Sequence, residues 1–170
     1  MQPNANPSSP GTGTLPQLIE EDIQKLNETL RTLLIRTGAT TALLMDIGGF
    51  LVTNQGETAR FDLTTIAALT SGTYMANQTI AGLVTNRDFD SFFQQGEQNS
   101  LFVARVDEYC LLAVIFEARV KVGTVKYFAL AAVRPLAQQI AIAKDRAPGA
   151  GLDLSILNQA DTQKLFRKGS

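Results

Sequence analysis

Apolar residues recur at three- and four-residue steps in three long segments of the chain, which is the period of an α-helix packed on one side. The first of these segments runs from Leu18 to Leu34. Gly38 follows it and predicts the helix end, because glycine readily takes the left-handed conformation found there. Thr14 and Gln17 have the spacing of an N-terminal capping box, so we expect the helix to begin just after Thr14.

Shorter apolar runs, bounded by turn residues, predict strands. A hairpin with its turn at residues 46–49, where Asp46 supplies the turn chemistry, joins the first two. The phenylalanine-rich third strand is expected at the edge of the sheet. The predicted strands cover residues 41–45, 50–53, 89–96, 100–106 and 109–116.

Two further helices complete the pattern. Asp62 predicts the N-cap of a second helix over residues 63–84, and residues 120–144 predict a third helix. Pro135 lies inside the third helix and predicts a kink or a break there. The order α-β-β-α-β-β-β-α indicates an α/β fold (an α+β sandwich), in which helices cover a five-stranded antiparallel sheet.

The two ends of the chain have a different composition from its centre. Residues 1–14 are rich in Pro, Gly, Ser and Asn, which predicts a disordered N-terminal tail. Residues 15–146 form the predicted domain. Residues 147–170 are expected to hold a flexible linker and a short helix capped by Asn158.

The composition argues against several classes of function. Among 170 residues there is no histidine and only one cysteine, and 15 basic residues stand against 16 acidic ones. Missing histidine removes the commonest general base and most zinc sites, so we expect no catalytic site, no metal and no cofactor. Near-neutral charge disfavours nucleic acid as a partner. No segment resembles a signal peptide or a membrane span, which favours the cytoplasm.

The second predicted helix is unusual because no charged residue occurs between Leu63 and Asn86. A helix on the surface of a monomer normally carries charge on its outer side. At helical spacing, one side should cover the sheet, and the opposite side is a nearly flat stripe of small residues. The side expected inward comprises Leu63, Ile66, Thr70, Tyr74, Ala81 and Val84, and the outward one Thr64, Ala68, Gly72, Met75, Thr79 and Gly82.

Such an uncharged outer side predicts that something covers it. The candidates are a tail or the third helix of the same chain, a second copy, or another protein. We favour association with a second copy or another protein. Gly72 and Gly82 each destabilise the helix by about 1 kcal/mol relative to alanine, and a close approach of another backbone would explain why glycine is present.

Three stretches of the sequence resemble the roadblock (dynein light chain) family, and in particular its bacterial gliding-motility members. They are the hairpin LLMDIGGFLVTNQG, the helix FDLTTIAALTSGTYMA and the block FDSFFQQGEQNSLFVARVDEYCLLAVIFEARVKVGTVK. The resemblance extends over residues 18–144. It implies a roadblock fold that forms homodimers, in which the sheets join and the second helices lie side by side.

The resemblance also implies a partner, a small Ras-like GTPase whose GTP hydrolysis the dimer stimulates. The two second helices would reshape the switch region of the GTPase, which supplies its own catalytic residues. The matching positions are Ala68 and Gly72 at the contact, with Thr65, Met75 and Ala76 nearby. A C-terminal helix with Leu157, Leu165 and Phe166 would make a second GTPase contact.

Several alternatives stay open on the sequence alone. The C-terminal segment is basic where those relatives are acidic, and it could equally dock on its own domain. Arg60, Arg87 and Arg119 lie near loop ends, where an arginine finger or a solvated side chain is possible. The dimer could also be a scaffold that positions a GTPase without changing hydrolysis. An enzyme or ligand sensor would need a concave polar pocket.

Overall fold

The computed structural model describes residues 15–146, which form one five-stranded antiparallel sheet between two unequal helical layers. The elements, in chain order, are α1 (Glu20–Thr37), β1 (Thr41–Asp46), β2 (Leu51–Gly56), α2 (Leu63–Val84), β3 (Ser91–Gln94), β4 (Asn99–Arg105), β5 (Cys110–Glu117) and α3 (Val122–Asp145). The strand order is β2-β1-β5-β4-β3. The predicted fold class is confirmed.

The middle strand of the sheet, β5, shows why both sides of the sheet need cover. Every residue from Cys110 to Phe116 is buried, and successive side chains point to opposite faces. Leu112 and Val114 join the core beneath α1 and α3, whereas Leu111 and Ala113 join the core beneath α2. The first core contains more large side chains, since two helices cover it and only one covers the second.

Helix α1 begins later than the sequence predicted. Residues 15–19 are not helical, and Ile19 occupies the N-cap position. The side chain of Asp22 accepts a hydrogen bond from the backbone N–H of Ile19 at 2.9 Å, so a carboxylate in the first turn satisfies the free donor. The capping box at Thr14 and Gln17 is therefore wrong for Gln17, and Thr14 lies outside the described residues. At the other end, Gly38 has φ +71° and ends the helix as predicted.

Helix α3 continues through Pro135, so of the predicted kink or break, the break does not occur. It packs antiparallel beside α1, and the two are joined at one end by Asp22. This carboxylate is fully buried, receives two hydrogen bonds from the Arg146 guanidinium at 2.8 and 2.9 Å, and accepts another from Gln139 at 2.7 Å. The Arg146 hydrogen bonds lower the pKa of Asp22 to about 2. The network fixes the end of α3 against the start of α1.

The remaining elements follow the prediction closely. Helix α2 spans the predicted residues 63–84, and its N-cap Asp62 accepts a hydrogen bond from the Thr65 N–H at 3.1 Å. The hairpin turn is held by Asp46, whose side chain accepts a hydrogen bond from the Phe50 N–H at 2.9 Å. Strand β3 forms the edge of the sheet beside β4, as expected of the phenylalanine-rich stretch.

Candidate protein–protein interface on the second helix

Helix α2 is held on the sheet by the turn between β1 and β2. The Ser71 hydroxyl donates a hydrogen bond to the Ile47 carbonyl. Gly49 has φ +94°, and a Cβ atom there would lie 2.9 Å from Cα of Ala68. Only glycine allows so close an approach with this backbone conformation. The turn therefore fixes the rotation of α2 about its axis, and with it the residues that point outward.

Most of the predicted division of α2 into two sides is confirmed. Leu63, Thr70, Tyr74 and Ala81 are buried, and Ile66 is half-buried. Val84 was predicted to face the sheet, but it is 70% exposed because it lies in the last turn, beyond the last buried residue of the helix. The buried residues Ala67 and Ser71 were missed, since a small or polar residue carries little hydropathy signal.

The outward side of α2 is more apolar than the prediction of a flat stripe of small residues. All the predicted outward positions are exposed, and so are Thr65 and Ala76. Beside them lie three large side chains that the sequence prediction assigned to neither side, and these are 50–84% exposed: Leu69, Ile80 and Leu83. The signal that could have found them is their heptad-like spacing within a helix without charge.

Two parallel stripes can be separated on this outer side by residue spacing. The small stripe is the predicted set Thr64, Ala68, Gly72, Met75, Thr79 and Gly82. The apolar stripe follows alternating steps of three and four residues, the spacing of a helix–helix seam, and comprises Ile66, Leu69, Thr73, Ala76, Ile80 and Leu83. At Gly72 and Gly82 an added Cβ would meet nothing within 4 Å, so neither glycine is required by the packing of its own chain.

The two stripes lie on different sides of α2. Ala68 of the small stripe is at the β1–β2 turn, through its contact with Gly49. Ile66 of the apolar stripe lies toward β3 and β4, where with Leu101 and Ile115 it lines a hollow of about 480 Å³. A helix is about 10 Å wide and five strands span about 20 Å, so α2 alone cannot cover the sheet. Phe92 and Leu101 are accordingly only half-buried.

The electrostatics of the outer side of α2 are simple, since the helix carries no charge. At its start, the Thr65 hydroxyl donates a hydrogen bond to Asp62 at 2.7 Å, and these bonds lower the pKa of the Asp62 carboxyl. Thr65 is therefore already used in the cap. The sequence left open whether the third helix covers the outer side of α2. This helix, α3, lies on the opposite face of the sheet and does not cover α2.

The three arginines considered as fingers are all in loops. Arg60 pairs with Glu57 at 3.3 Å and lies over the Phe61 ring at 5.3 Å. Arg119 pairs with Glu117, and Arg87 is exposed after α2. These contacts agree with solvated loop arginines.

Residues 15–146 offer little that resembles a catalytic centre. Cys110 is fully buried in β5, and burial raises the pKa of its thiol well above the usual range, as expected of a structural cysteine. Within these residues no group of three acidic or cysteine side chains could hold a metal ion. Within the same range, no helix is long and apolar enough to cross a membrane. The predicted second contact, Leu157, Leu165 and Phe166, lies outside the described residues.

A five-stranded sheet with an uncharged, apolar helix exposed on one face offers a surface of the kind that protein-binding domains use. The model of the Roadblock/LC7 domain matches residues 25–116, which is more than half of the chain. The chain therefore belongs to the Roadblock/LC7 family, as the sequence resemblance implied. Among curated protein sequences, none matches the chain.

Several solved structures of MglB are similar to this chain. One, described as MglB with a tetrameric arrangement, has 28% identity and a TM-score of 0.72, and the alignment covers 77% of this chain and 98% of that one. The gliding protein MglB of Thermus thermophilus has 29% identity, and MglB of Myxococcus xanthus has 28%. Both have a TM-score of 0.70, with 76% of this chain and 98% of theirs covered.

Proposed function

We propose that this protein regulates a small Ras-like GTPase of the MglA type and stimulates its GTP hydrolysis by remodelling the switch region. The observation that carries the proposal is the uncharged outer side of α2 in a chain that is similar to MglB over most of its length. The protein supplies a binding surface and no catalytic group of its own. We place this activity in the bacterial cytoplasm, in gliding motility and cell polarity.

The apolar stripe supports a homodimer in this proposal. A second α2, related by a two-fold axis, would pack along the apolar stripe on the β3 side, as an isologous interface requires. It would bury Leu69, Ile80 and Leu83, and it would cover the half-buried Phe92 and Leu101 that one helix leaves open. A solved MglB is described as tetrameric, which is consistent with self-association in this fold.

The small stripe is then left for the GTPase. Ala68 and Gly72 lie in it together with Met75, whereas Thr65 borders it and Ala76 belongs to the apolar stripe. Small side chains let the GTPase backbone approach closely, and a charge placed among them would be buried without a partner. Leu157, Leu165 and Phe166 are proposed as a second contact, made by the C-terminal segment.

The decisive variant is Gly72→Arg. Since an added Cβ at Gly72 meets nothing within 4 Å, we expect the domain to fold normally. An arginine in the contact should lower GTPase affinity at least about 100-fold, through lost packing and an unpaired charge. Gly123→Arg is the matched control, because Gly123 is an equally open helical glycine on α3. Titration calorimetry with the GTPase in its GDP and GTP-analogue states measures the affinity.

Single-turnover GTP hydrolysis, with and without this protein, tests activation separately from binding. We expect the wild-type chain and Gly123→Arg to raise the rate, and Gly72→Arg to leave it at the intrinsic level. Binding without a change in rate would instead assign the chain the role of a scaffold. If Gly72→Arg bound as tightly as the wild type, the small stripe would not be the contact.

A further inference from the structure

A groove of about 700 Å³ lies between α1 and α3, on the face of the sheet opposite to α2. Its floor includes Leu33 and Ala132, which are buried. The α1 wall carries charge, at Lys25, Glu28 and Arg36, and the α3 wall carries none. That uncharged wall consists of Tyr127, Phe128, Ala131, Pro135, Gln138 and Ile142.

The α3 wall is shaped to receive another helix. Tyr127, Ala131, Pro135, Gln138 and Ile142 follow one another at steps of four, four, three and four residues, so they form one stripe along the groove. Tyr127 is 69% exposed and Ile142 is 53% exposed, although both are largely apolar. An apolar stripe beside a groove between two helices is the surface used in helix-in-groove recognition.

Pro135 leaves a backbone carbonyl of the same wall without its helical hydrogen-bond donor. Proline has no N–H, so the Ala131 carbonyl cannot accept the usual helical hydrogen bond. Both residues line the groove. A carbonyl left in this state is satisfied by water or by a donor from whatever occupies the groove.

The end of α3 determines what can reach this groove. Arg146 is fixed to Asp22, and Gln139, which bonds the same carboxylate, lines the groove at that end together with Ile142. The chain after Arg146 therefore starts at the mouth of the groove. Residues 147–151 (APGAG) have the length of the two- to five-residue connections that turn a chain back alongside a preceding helix.

We propose that the segment after this connection, residues 152–166 of the same chain, docks in the groove between α1 and α3. The proposed helix starts at Leu152, earlier than the Asn158 cap predicted from the sequence, and at helical spacing Leu152, Ile156, Ala160 and Phe166 share one side of it. From Leu152 to Phe166 a helix is about 21 Å long, and the α3 wall from Tyr127 to Ile142 is about 22 Å long. On the same side, the amides of Gln159 and Gln163 are donors of the kind that the Ala131 carbonyl lacks.

Docking has a regulatory consequence, which rests on the proposed function. Leu157, Leu165 and Phe166 belong to the docking segment and are also the proposed second GTPase contact. While the segment lies in the groove, it is withheld from the GTPase. The docking itself does not depend on any GTPase.

Thiol alkylation in the full-length protein tests the docking. The native Cys110 is fully buried and stays silent, so Gln138→Cys places one reactive thiol in the groove wall. A docked population of about 90% lowers its alkylation rate about tenfold. The comparison is the same chain carrying Leu152→Asp, Ile156→Asp and Phe166→Asp. Thr79→Cys, on the exposed side of α2, is the control and should react equally in both chains. Equal rates at Gln138→Cys would overturn the proposal.

A disulfide cross-link identifies which segment occupies the groove. In an antiparallel pair of helices that turns at residues 147–151, Gln138 and Ala160 lie at the same depth of the groove. Mild oxidation of the Gln138→Cys, Ala160→Cys variant should give a disulfide within one chain, and the Thr79→Cys, Ala160→Cys control should not. Products of twice the mass would assign the groove to the segment of a second copy and overturn docking within the chain. Absence of any cross-link would overturn it as well.

Discussion

The two faces of the sheet are covered by helices with different outer surfaces. One is covered by α1 and α3, whose outer surfaces carry charges such as Glu21, Lys25, Arg31, Arg134 and Lys144. The other is covered by α2 alone, which has no charge and leaves Leu69 and Leu83 largely exposed. Apart from the groove between α1 and α3, the first face has a largely charged and polar exterior. The second face exposes an uncharged, apolar helix, as surfaces that bind another protein do.

The polar contacts of the two faces differ in the same way. Beneath α1 and α3, a buried carboxylate joins two helices that are far apart in sequence, through Asp22, Gln139 and Arg146. On the α2 side, polar contacts either hold the helix on the sheet, as Ser71 does, or cap its start, as Asp62 does. We expect stability to be concentrated on the face covered by α1 and α3, which leaves the other face free to specialise in binding.

The largest effect on stability should come from Asp22→Asn. This change preserves the shape of the side chain but removes the charge that Arg146 pairs with, and it leaves the Ile19 N–H without its strong acceptor. Removing one partner of a buried ion pair is strongly destabilising, and we expect a loss of about 3 kcal/mol in the free energy of unfolding, measured by urea denaturation. A loss below about 1 kcal/mol would contradict the assignment of stability to this face.

The same carboxylate predicts how stability depends on pH. Its pKa is lowered from 3.8 to about 2 in the folded chain, so its contribution is present above pH 4 and is lost as the pH falls toward 2. The difference in pKa corresponds to about 2.5 kcal/mol. Urea titrations at several pH values should show this decline in the wild type, and a markedly smaller one in Asp22→Asn.

An intermediate effect is expected from Leu83→Asp, which acts on association instead of folding. Leu83 is 84% exposed in the single chain, so the monomer should remain stable, whereas the proposed dimer would bury the new charge. We expect the dimer to weaken at least about tenfold in sedimentation-equilibrium measurements. Ile35→Asp is the matched control, since Ile35 is 83% exposed on α1 and should leave the dimer intact. If both substitutions weakened the dimer equally, the dimer interface would not be specific to the α2 face.

The smallest effect should come from Gly72→Ala. Alanine is favoured over glycine within a helix, and the added Cβ meets nothing in the single chain, so the domain should gain up to about 1 kcal/mol. If the GTPase backbone approaches closely there, its affinity should fall several-fold. Thermal unfolding and calorimetry measure the two quantities. A gain in stability with unchanged affinity would show that the GTPase does not approach Gly72 closely.

The sequence alone determined the fold class, the order of the elements and the bounds of α2. Helical and strand periods are local properties of the sequence. The helix caps at Asp62 and Gly38 each depend on the identity of a single residue. The exposed position of Ala68, Gly72 and Met75 was also predicted, because a helix on a sheet has one inner and one outer side.

Only the tertiary structure decided the rest. The start of α1 depends on Asp22, whose burial follows from Gln139 and Arg146 more than 100 residues away, so the local capping signal at Gln17 was overridden. The rotation of α2 is fixed by the contact between Gly49 and Ala68, which no periodicity reveals. That rotation determines which way the two outer stripes face. The apolar stripe faces β3 and β4, the part of the sheet that a single helix is too narrow to cover.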